Sequence, residues 1–332
     1  MDQTSEIVQS LENPWAAFID ATAGLRHELF GFGLRLTHNP FDGEDLVQEA
    51  LLRAFGAAAF QDGGVGNLRA YLFRTMANLW IDEQRRTQHT VRAAFDDVVD
   101  ESSDHADSTL VLRDAAAMIF DELAPRERAA IVLHDGLGFR HSEIADLLST
   151  TEGAVRSALH RAKSRLAAED PPAIAATSRA DRSVVDKFVA AFSAGDVQAL
   201  RDLLVDDVEA AVFPAGVGRG ADWTTEQGWI HGCLYHHHHD YESAGQPYPT
   251  TVEVGLIAGE PIVLASREGD DGIKLEEVWR FETDGERIER VRDYGFCPEL
   301  VAWVGADTGR PVRAVGYRFG VHPTWIPESE QP

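Results

Sequence analysis

The segment Thr151–Leu166, TEGAVRSALHRAKSRL, constrains this chain most, because it reads as a short basic helix inside a strongly acidic protein. Val155, Leu159, Ala162 and Leu166 recur at i, i+4, i+7 and i+11, the spacing of one buried helix face. The remaining arc carries Arg156, Ser157, His160, Arg161, Lys163 and Ser164. Thr151 is the predicted N-cap, with Glu152 in the electropositive first turn. Upstream, Phe139–Leu148 predicts a shorter helix and Ser149-Thr150 a polar turn. Helix, tight turn, basic helix is the helix-turn-helix pattern, whose second helix enters the DNA major groove. The alternative is the exposed charged face of an ordinary surface helix.

Composition limits the setting of that helix. At 332 residues the chain has room for two or three domains, and 44% hydrophobic residues suffice for a core. No run approaches the roughly 18 consecutive apolar residues of a membrane span, so no membrane partner is expected. The start, Met1-Asp-Gln-Thr-Ser-Glu, lacks the basic and apolar regions of a signal peptide. Cys233 and Cys297 are far apart and have no ligand partners at metal-site spacing. A cytoplasmic chain with reduced thiols and no cofactor is the expectation.

The formal net charge of −25 argues against a general nucleic-acid coat, since phosphate binding needs clustered Lys and Arg. Yet Arg126, Arg128, Arg140, Arg156, Arg161, Lys163 and Arg165 fall close together. Residues 95–123, by contrast, hold nine acids against Arg113 alone. A local DNA patch on a repelling body implies that something else brings the patch to DNA.

Texture divides the chain. Residues 12–88 read as wholly helical, 89–120 as an acidic connector too polar to pack, and 121–168 as a second helical block. Glu169-Asp-Pro-Pro172 opens a linker, 169–182. Ser183–Ser193 and Asp196–Leu204 predict two short helices broken at Ala194-Gly195. From Thr251 the pattern is strand-like, with Leu275–Thr283 and Arg287–Tyr294 joined as a hairpin through Asp284-Gly285. Helices before a curved antiparallel sheet imply a separate α+β domain over 183–297, followed by a C-terminal tail, 298–332.

Two helices of the first block carry candidate surfaces. In Phe41–Phe55, Val47, Leu51, Ala54 and Phe55 predict the buried face, and Asp45, Gln48, Glu49 and Leu52 the opposite side. An apolar Leu52 among exposed acids suits a docking surface, or is one stray exposed leucine. In Asn67–Arg86, Leu68, Leu72, Met76 and Leu79 predict the core stripe. Tyr71, Arg74, Asn78, Asp82 and Arg85 share an adjacent face that suits unstacked bases, and Arg86 ends the helix beside Arg85. The alternative is a surface helix whose cations offset its own dipole.

These residues carry a family resemblance. Asp42-x-Glu-Asp-Leu-Val-Gln-Glu49, the Leu72-Phe-Arg-x-x-x-Asn-Leu-x-x-Asp-x-x-Arg-Arg86 helix, Leu123-Ala-Pro-Arg-Glu-Arg128 and Glu152-Gly-Ala-Val-Arg-Ser-x-Leu-His-Arg-Ala162 resemble bacterial sigma-70-family factors. The extracytoplasmic-function group, which keeps regions 2 and 4 alone, matches best, and the resemblance spans 12–168. It implies core RNA polymerase and promoter DNA as partners. Asp45, Gln48, Glu49 and Leu52 match the helix that docks on the polymerase β′ clamp. Arg74, Asn78, Asp82, Arg85 and Arg86 match the reader of the -10 element. The helix from Thr151, with Arg156, Ser157, His160, Arg161 and Lys163, matches the -35 reader, in the region that meets the β flap. The acidic connector matches the linker threading polymerase. Trp80-Ile81 departs from the family pattern, where small or aliphatic residues are commoner.

Residues 183–297, opening with Val184–Val208, resemble SnoaL-like domains, which share the ketosteroid-isomerase-like cone of curved sheet and helices. Two all-α sigma domains and this α+β cone are the fold expected. The resemblance implies a regulatory extension, either ligand-sensing, with a small molecule as partner, or purely intramolecular. Ala215–Gly220 reads as a flexible loop contacting the sigma part. Among enzymes of this fold a buried carboxylate or histidine is the general base. Asp222, Glu276 and Asp293 are candidates that spacing does not separate, so no catalytic residue is assigned. His236–His239 with Asp240 and His231 invites a metal, yet sequential histidines point apart, and a solvated loop is the simpler reading. Competing functions are a helix-turn-helix regulator acting alone and a bifunctional enzyme with a DNA-binding arm.

Overall fold

A computed structural model describes residues 18, 21–60, 67–94, 123–166, 179–212, 216–226, 228–230, 233, 250–269 and 271–313. The chain divides into two compact units, Asp20–Ala175 and Ala176–Pro332 together with Met1–Ile19. The histidine run with His231, Gly63–Gly66, most of the acidic connector and of the linker, and the tail from residue 314 lie outside the described residues.

The first unit is helical: α1 (Arg26–Thr37), α2 (Pro40–Phe60), α3 (Leu68–Ala94), α4 (Pro125–Ile131), α5 (His141–Leu147) and α6 (Glu152–Leu166). Local chemistry sets the starts. Asn39 Oδ1 accepts from the amides of Phe41 and Asp42, with Pro40 at the first helical position, and Asn67 Oδ1 accepts from Ala70. The α1–α2 crossing is backbone-close. A Cβ on Gly33 would stand 2.5 Å from the Gly43 carbonyl oxygen, so neither position admits a larger residue without separating the helices.

On α3 the buried residues are Leu72, Phe73, Met76, Ala77, Trp80 and Ile81. The expected stripe through Leu68 and Leu79 is therefore corrected, since both are only partly buried. The stripe is rotated because the second helical block covers it. Phe139 meets Phe73 edge-on at 5.3 Å, with the Arg69 guanidinium 4.5 Å from the Phe139 ring. The unusual Trp80-Ile81 pair is thus part of the core.

The second unit comprises α7 (Arg182–Ala194), α8 (Val197–Asp202), β1 (Leu204–Val212), β2 (Gly216–Arg219), α9 (Ala221–Glu226), β3 (Thr250–Ile257), β4 (Glu260–Arg267), β5 (Lys274–Thr283), β6 (Ile288–Asp293) and α10 (Pro298–Thr308). Asp181 caps α7 through the Ser183 amide, and Gly195 ends it at φ 65°. The sheet order is β2-β1-β6-β5-β4-β3, antiparallel except where β1 runs parallel to β6. Phe188, Phe192, Trp229, Trp279, Phe281 and Val291 form the core between helices and sheet.

Three expectations change here. Strands β1 and β2 precede Thr251, where no strand was expected, because Asp206-Asp207 interrupts the apolar alternation that would reveal them. The β5–β6 connection is a four-residue loop in which Asp284 Oδ1 accepts from Glu286 and Arg287 amides. Finally, residues 298–308 are no tail: α10 buries Leu300, Val301 and Val304 and packs against β5.

Candidate functional site

The helix-turn-helix assembles as its sequence implies. α5 ends at Leu147, Ser149 turns through φ 48°, and the Thr150 amide donates to the Ala145 carbonyl at 2.8 Å. Thr151 Oγ1 then caps α6 by accepting from Ala154 at 3.2 Å. Val155, Ala158, Leu159 and Ala162 are buried, leaving Arg156, Ser157, His160, Arg161 and Lys163 exposed. These cations differ in their freedom. Arg156 has a weak intrahelical partner, Glu152 at 3.5 Å, and Lys163 pairs with Asp135 at 3.1 Å. Arg161 Nε instead donates to buried Glu127 at 2.6 Å, and Arg165 reaches the same carboxylate at 2.8 Å. Glu127 also caps its own helix through the Ala124 amide at 3.3 Å, so it ties α4 to α6.

On α3, Arg74, Asn78, Asp82, Arg85 and Arg86 are all exposed along one side, and Tyr71 beside them is partly buried. Arg85 and Arg86 make surface pairs, with Asp82 at 3.6 Å and Glu83 at 2.6 Å. Such pairs contribute about 0–1 kcal/mol each and give way readily to a phosphate.

The α2 surface is smaller than the sequence implied. Glu49 and Leu52 are exposed, Leu52 by 48%, and Asp45 partly so. Gln48 is a correction: it is 2% exposed and points inward, where its Nε2 donates to Glu44. The cause is Arg26 on α1, which pairs with buried Glu44 at 2.8 Å and makes an interior polar network of which Gln48 is part. Sequence reasoning missed this because Arg26, the cation that pairs with Glu44, lies 18 residues from it.

Comparison with known proteins fits these helices. Residues 24–90 match the family described as Sigma-70 region 2, and residues 113–166 match Sigma-70, region 4. The RNA polymerase sigma-E factor of Streptomyces avermitilis is 34% identical over 142 residues, 41% of this chain and 74% of that protein. The chain belongs to the sigma-70 family. The ECF RNA polymerase sigma factor SigJ of Mycobacterium tuberculosis is 31% identical over 194 residues, covering 55% of this chain. The match spans 61% of SigJ, so the chain aligns with less than two thirds of that relative. The crystal structure of SigJ is also similar, at 24% identity and TM-score 0.31 over 83% of this chain and 95% of that one. In this sigma-70-family chain, then, regions 2 and 4 supply the first unit's exposed polar faces.

The second unit separates the three candidate carboxylates. Asp222 is exposed and pairs with Arg201 at 2.6 Å, and Glu276 pairs with Arg313 at 2.6 Å. Asp293 is buried like Glu276 but accepts from neutral donors, Trp229 Nε1 at 2.9 Å and the Gly295 amide at 2.8 Å. Burial, with the Glu277 charge adding to it, pushes its pKa up to about 8. Glu277, which no motif singled out, accepts from Trp279 Nε1 at 3.0 Å and is also raised by burial, against the pull of Arg267.

Proposed function

We propose that this protein binds core RNA polymerase and directs promoter-specific transcription initiation, with its C-terminal unit modulating that activity. The observation that carries the reading is the exposure of two polar helix faces in one family-defining unit: Arg74, Asn78, Asp82, Arg85 and Arg86 on α3, and Arg156, Ser157, His160, Arg161 and Lys163 on α6. The first mixes guanidinium and amide groups suited to melted -10 DNA, the second suits the -35 major groove. Asp45, Glu49 and Leu52 form the docking surface for the β′ clamp, with Gln48 holding it from beneath, and region 4 meets the β flap. Polymerase supplies the nonspecific affinity that a chain of charge −25 lacks.

In vitro transcription with core enzyme, comparing the full chain with a truncation near Pro172, tests this. At least one form should initiate in a core-dependent manner, and a difference between them gives the sign of regulation. No core-dependent initiation by either form defeats the proposal. A catalytic role for the C-terminal unit has one observation in its favour, the buried Asp293 with its raised pKa.

A further inference from the structure

Three side chains with metal-binding atoms converge in the second unit, and strand register brings two of them together. Along β5, Glu277 alternates onto the same face as the core residues Trp279 and Phe281, and along β6 Asp293 follows Val291. Trp279 stands opposite Asp293, so both carboxylates meet at one end of that face. Trp229 Nε1 reaches Asp293, and Cys233 brings its thiol to the same carboxylates. Cys233 Sγ and one carboxylate oxygen each of Glu277 and Asp293 lie within 4.8 Å of one another.

Asp293 is 6% exposed and the other two are partly buried. Among the described residues, the Cys233 thiol makes no hydrogen bond. The nearby cation, Arg267, is shared with Glu276 at 3.4 Å. Two carboxylates and a thiol are therefore short of positive charge.

The geometry points to a site for one divalent metal ion of the zinc class, held by the Cys233 thiolate and the Glu277 and Asp293 carboxylates. Zinc bonds of about 2.3 Å to sulfur and 2.0–2.2 Å to oxygen place tetrahedral donors about 3.4–3.6 Å apart, a closure of about 1 Å from the observed limit. A thiolate donor selects zinc-class ions over magnesium or calcium. Three protein donors leave the fourth position to water or a small donor molecule.

Protons balance the ion. Near neutral pH the ion-free cluster holds the thiol proton, which burial secures, and one proton on the carboxyl pair. Its charge is then −1. Binding displaces both protons, and three anions with one divalent cation again carry −1. Affinity should accordingly rise with pH as two protons are released.

The site is independent of the polymerase reading, and the full chain tests it. After chelation, titration with Co²⁺ should give one equivalent bound with a near-ultraviolet thiolate-to-cobalt band, displaced by Zn²⁺. Cys233→Ser should lose the band, and Glu277→Gln and Asp293→Asn should each weaken Zn²⁺ binding at least tenfold. Alanine at His236–His239 should leave it intact. A folded wild type without the band overturns the proposal, as does Zn²⁺ binding that survives Cys233→Ser and is lost with the histidines. Where circular dichroism shows Cys233→Ser misfolded, Glu277→Gln decides: unchanged Zn²⁺ affinity overturns the site.

Discussion

Arg128 Nη1 donates to the Leu36 carbonyl oxygen at 2.9 Å while its guanidinium lies 5.2 Å from the centre of the Trp80 ring. One side chain, 6% exposed, thereby joins the second helical block to two helices of the first. Leu36 sits in the last turn of α1, where carbonyls lack intrahelical partners and carry partial negative charge.

Replacing Arg128 with alanine removes a charge-assisted hydrogen bond and a desolvated cation–π contact, together about 3 kcal/mol. Hydrogen exchange should accelerate at the α1 C-terminus and through α4. Arg128→Lys should recover less than half, since an ammonium cannot both reach the carbonyl and lie flat on the indole. Unchanged exchange in the alanine variant would show that the two blocks are held by Phe73 and Phe139 without it.

On α2 the structure separates function from stability at neighbouring positions. Leu52→Asp should leave unfolding free energy within about 0.5 kcal/mol, because the side chain is exposed on the α2 surface. Binding to core polymerase should fall at least tenfold. Gln48→Ala should do the opposite, costing about 1–2 kcal/mol by leaving buried Glu44 short of a donor. Equal loss of polymerase binding in both variants at full stability would place Gln48 on the docking surface after all.

The same division runs along α6. Arg156→Ala and Lys163→Ala should weaken promoter binding by the holoenzyme, by about 1–3 kcal/mol for a base contact and less for a phosphate. Neither should shift thermal unfolding appreciably. Arg161→Ala should lower stability by about 1–2 kcal/mol as well, because it removes one of the two guanidinium donors to Glu127, buried at the α4–α6 junction. Normal -35 footprints for both Arg156→Ala and Lys163→Ala would move the reading helix elsewhere.

What the sequence revealed and what it hid follow one physical line. The helix start at Thr151 and the stop at Gly195 depend on atoms within three residues, so capping chemistry made them legible. So did the polar faces of α3 and α6, which repeat every turn. Gln48 was misplaced because Arg26 on another helix decides which way it faces. Trp80 and Ile81 displaced Leu79 from the core because Phe139 and Arg128 arrive from the second block. Strand β1 hid behind Asp206-Asp207, whose side chains stand exposed while Leu204, Val208 and Ala210 go inward. The meeting of Cys233, Glu277 and Asp293 needs the β5–β6 register and a residue more than forty positions earlier in the chain, which no local spacing records.

That register also makes the second unit's stability depend on pH in a direction opposite to an ordinary carboxylate. Folded Asp293 keeps its proton to about pH 8, whereas the unfolded side chain loses it near 3.8. Its folded pKa is raised, so the associated stability is complete below the unfolded value and is lost as pH rises through the folded one. The cause is burial first and the Glu277 charge second, with the Trp229 and Gly295 hydrogen bonds recovering part of the cost. Asp293→Asn cannot ionise. It carries a fixed penalty at every pH, since its amide group faces donors meant for a carboxylate. In chelator-treated protein, the stability of the variant relative to wild type should therefore climb between pH 5 and pH 8. The slope is at most about 1.4 kcal/mol per pH unit for one proton. Denaturant unfolding at four or five pH values measures it. A flat difference across that range would mean that Asp293 is ionised in the folded protein, and that the neighbouring Arg267 neutralises the pair more fully than its distance to Glu276 implies.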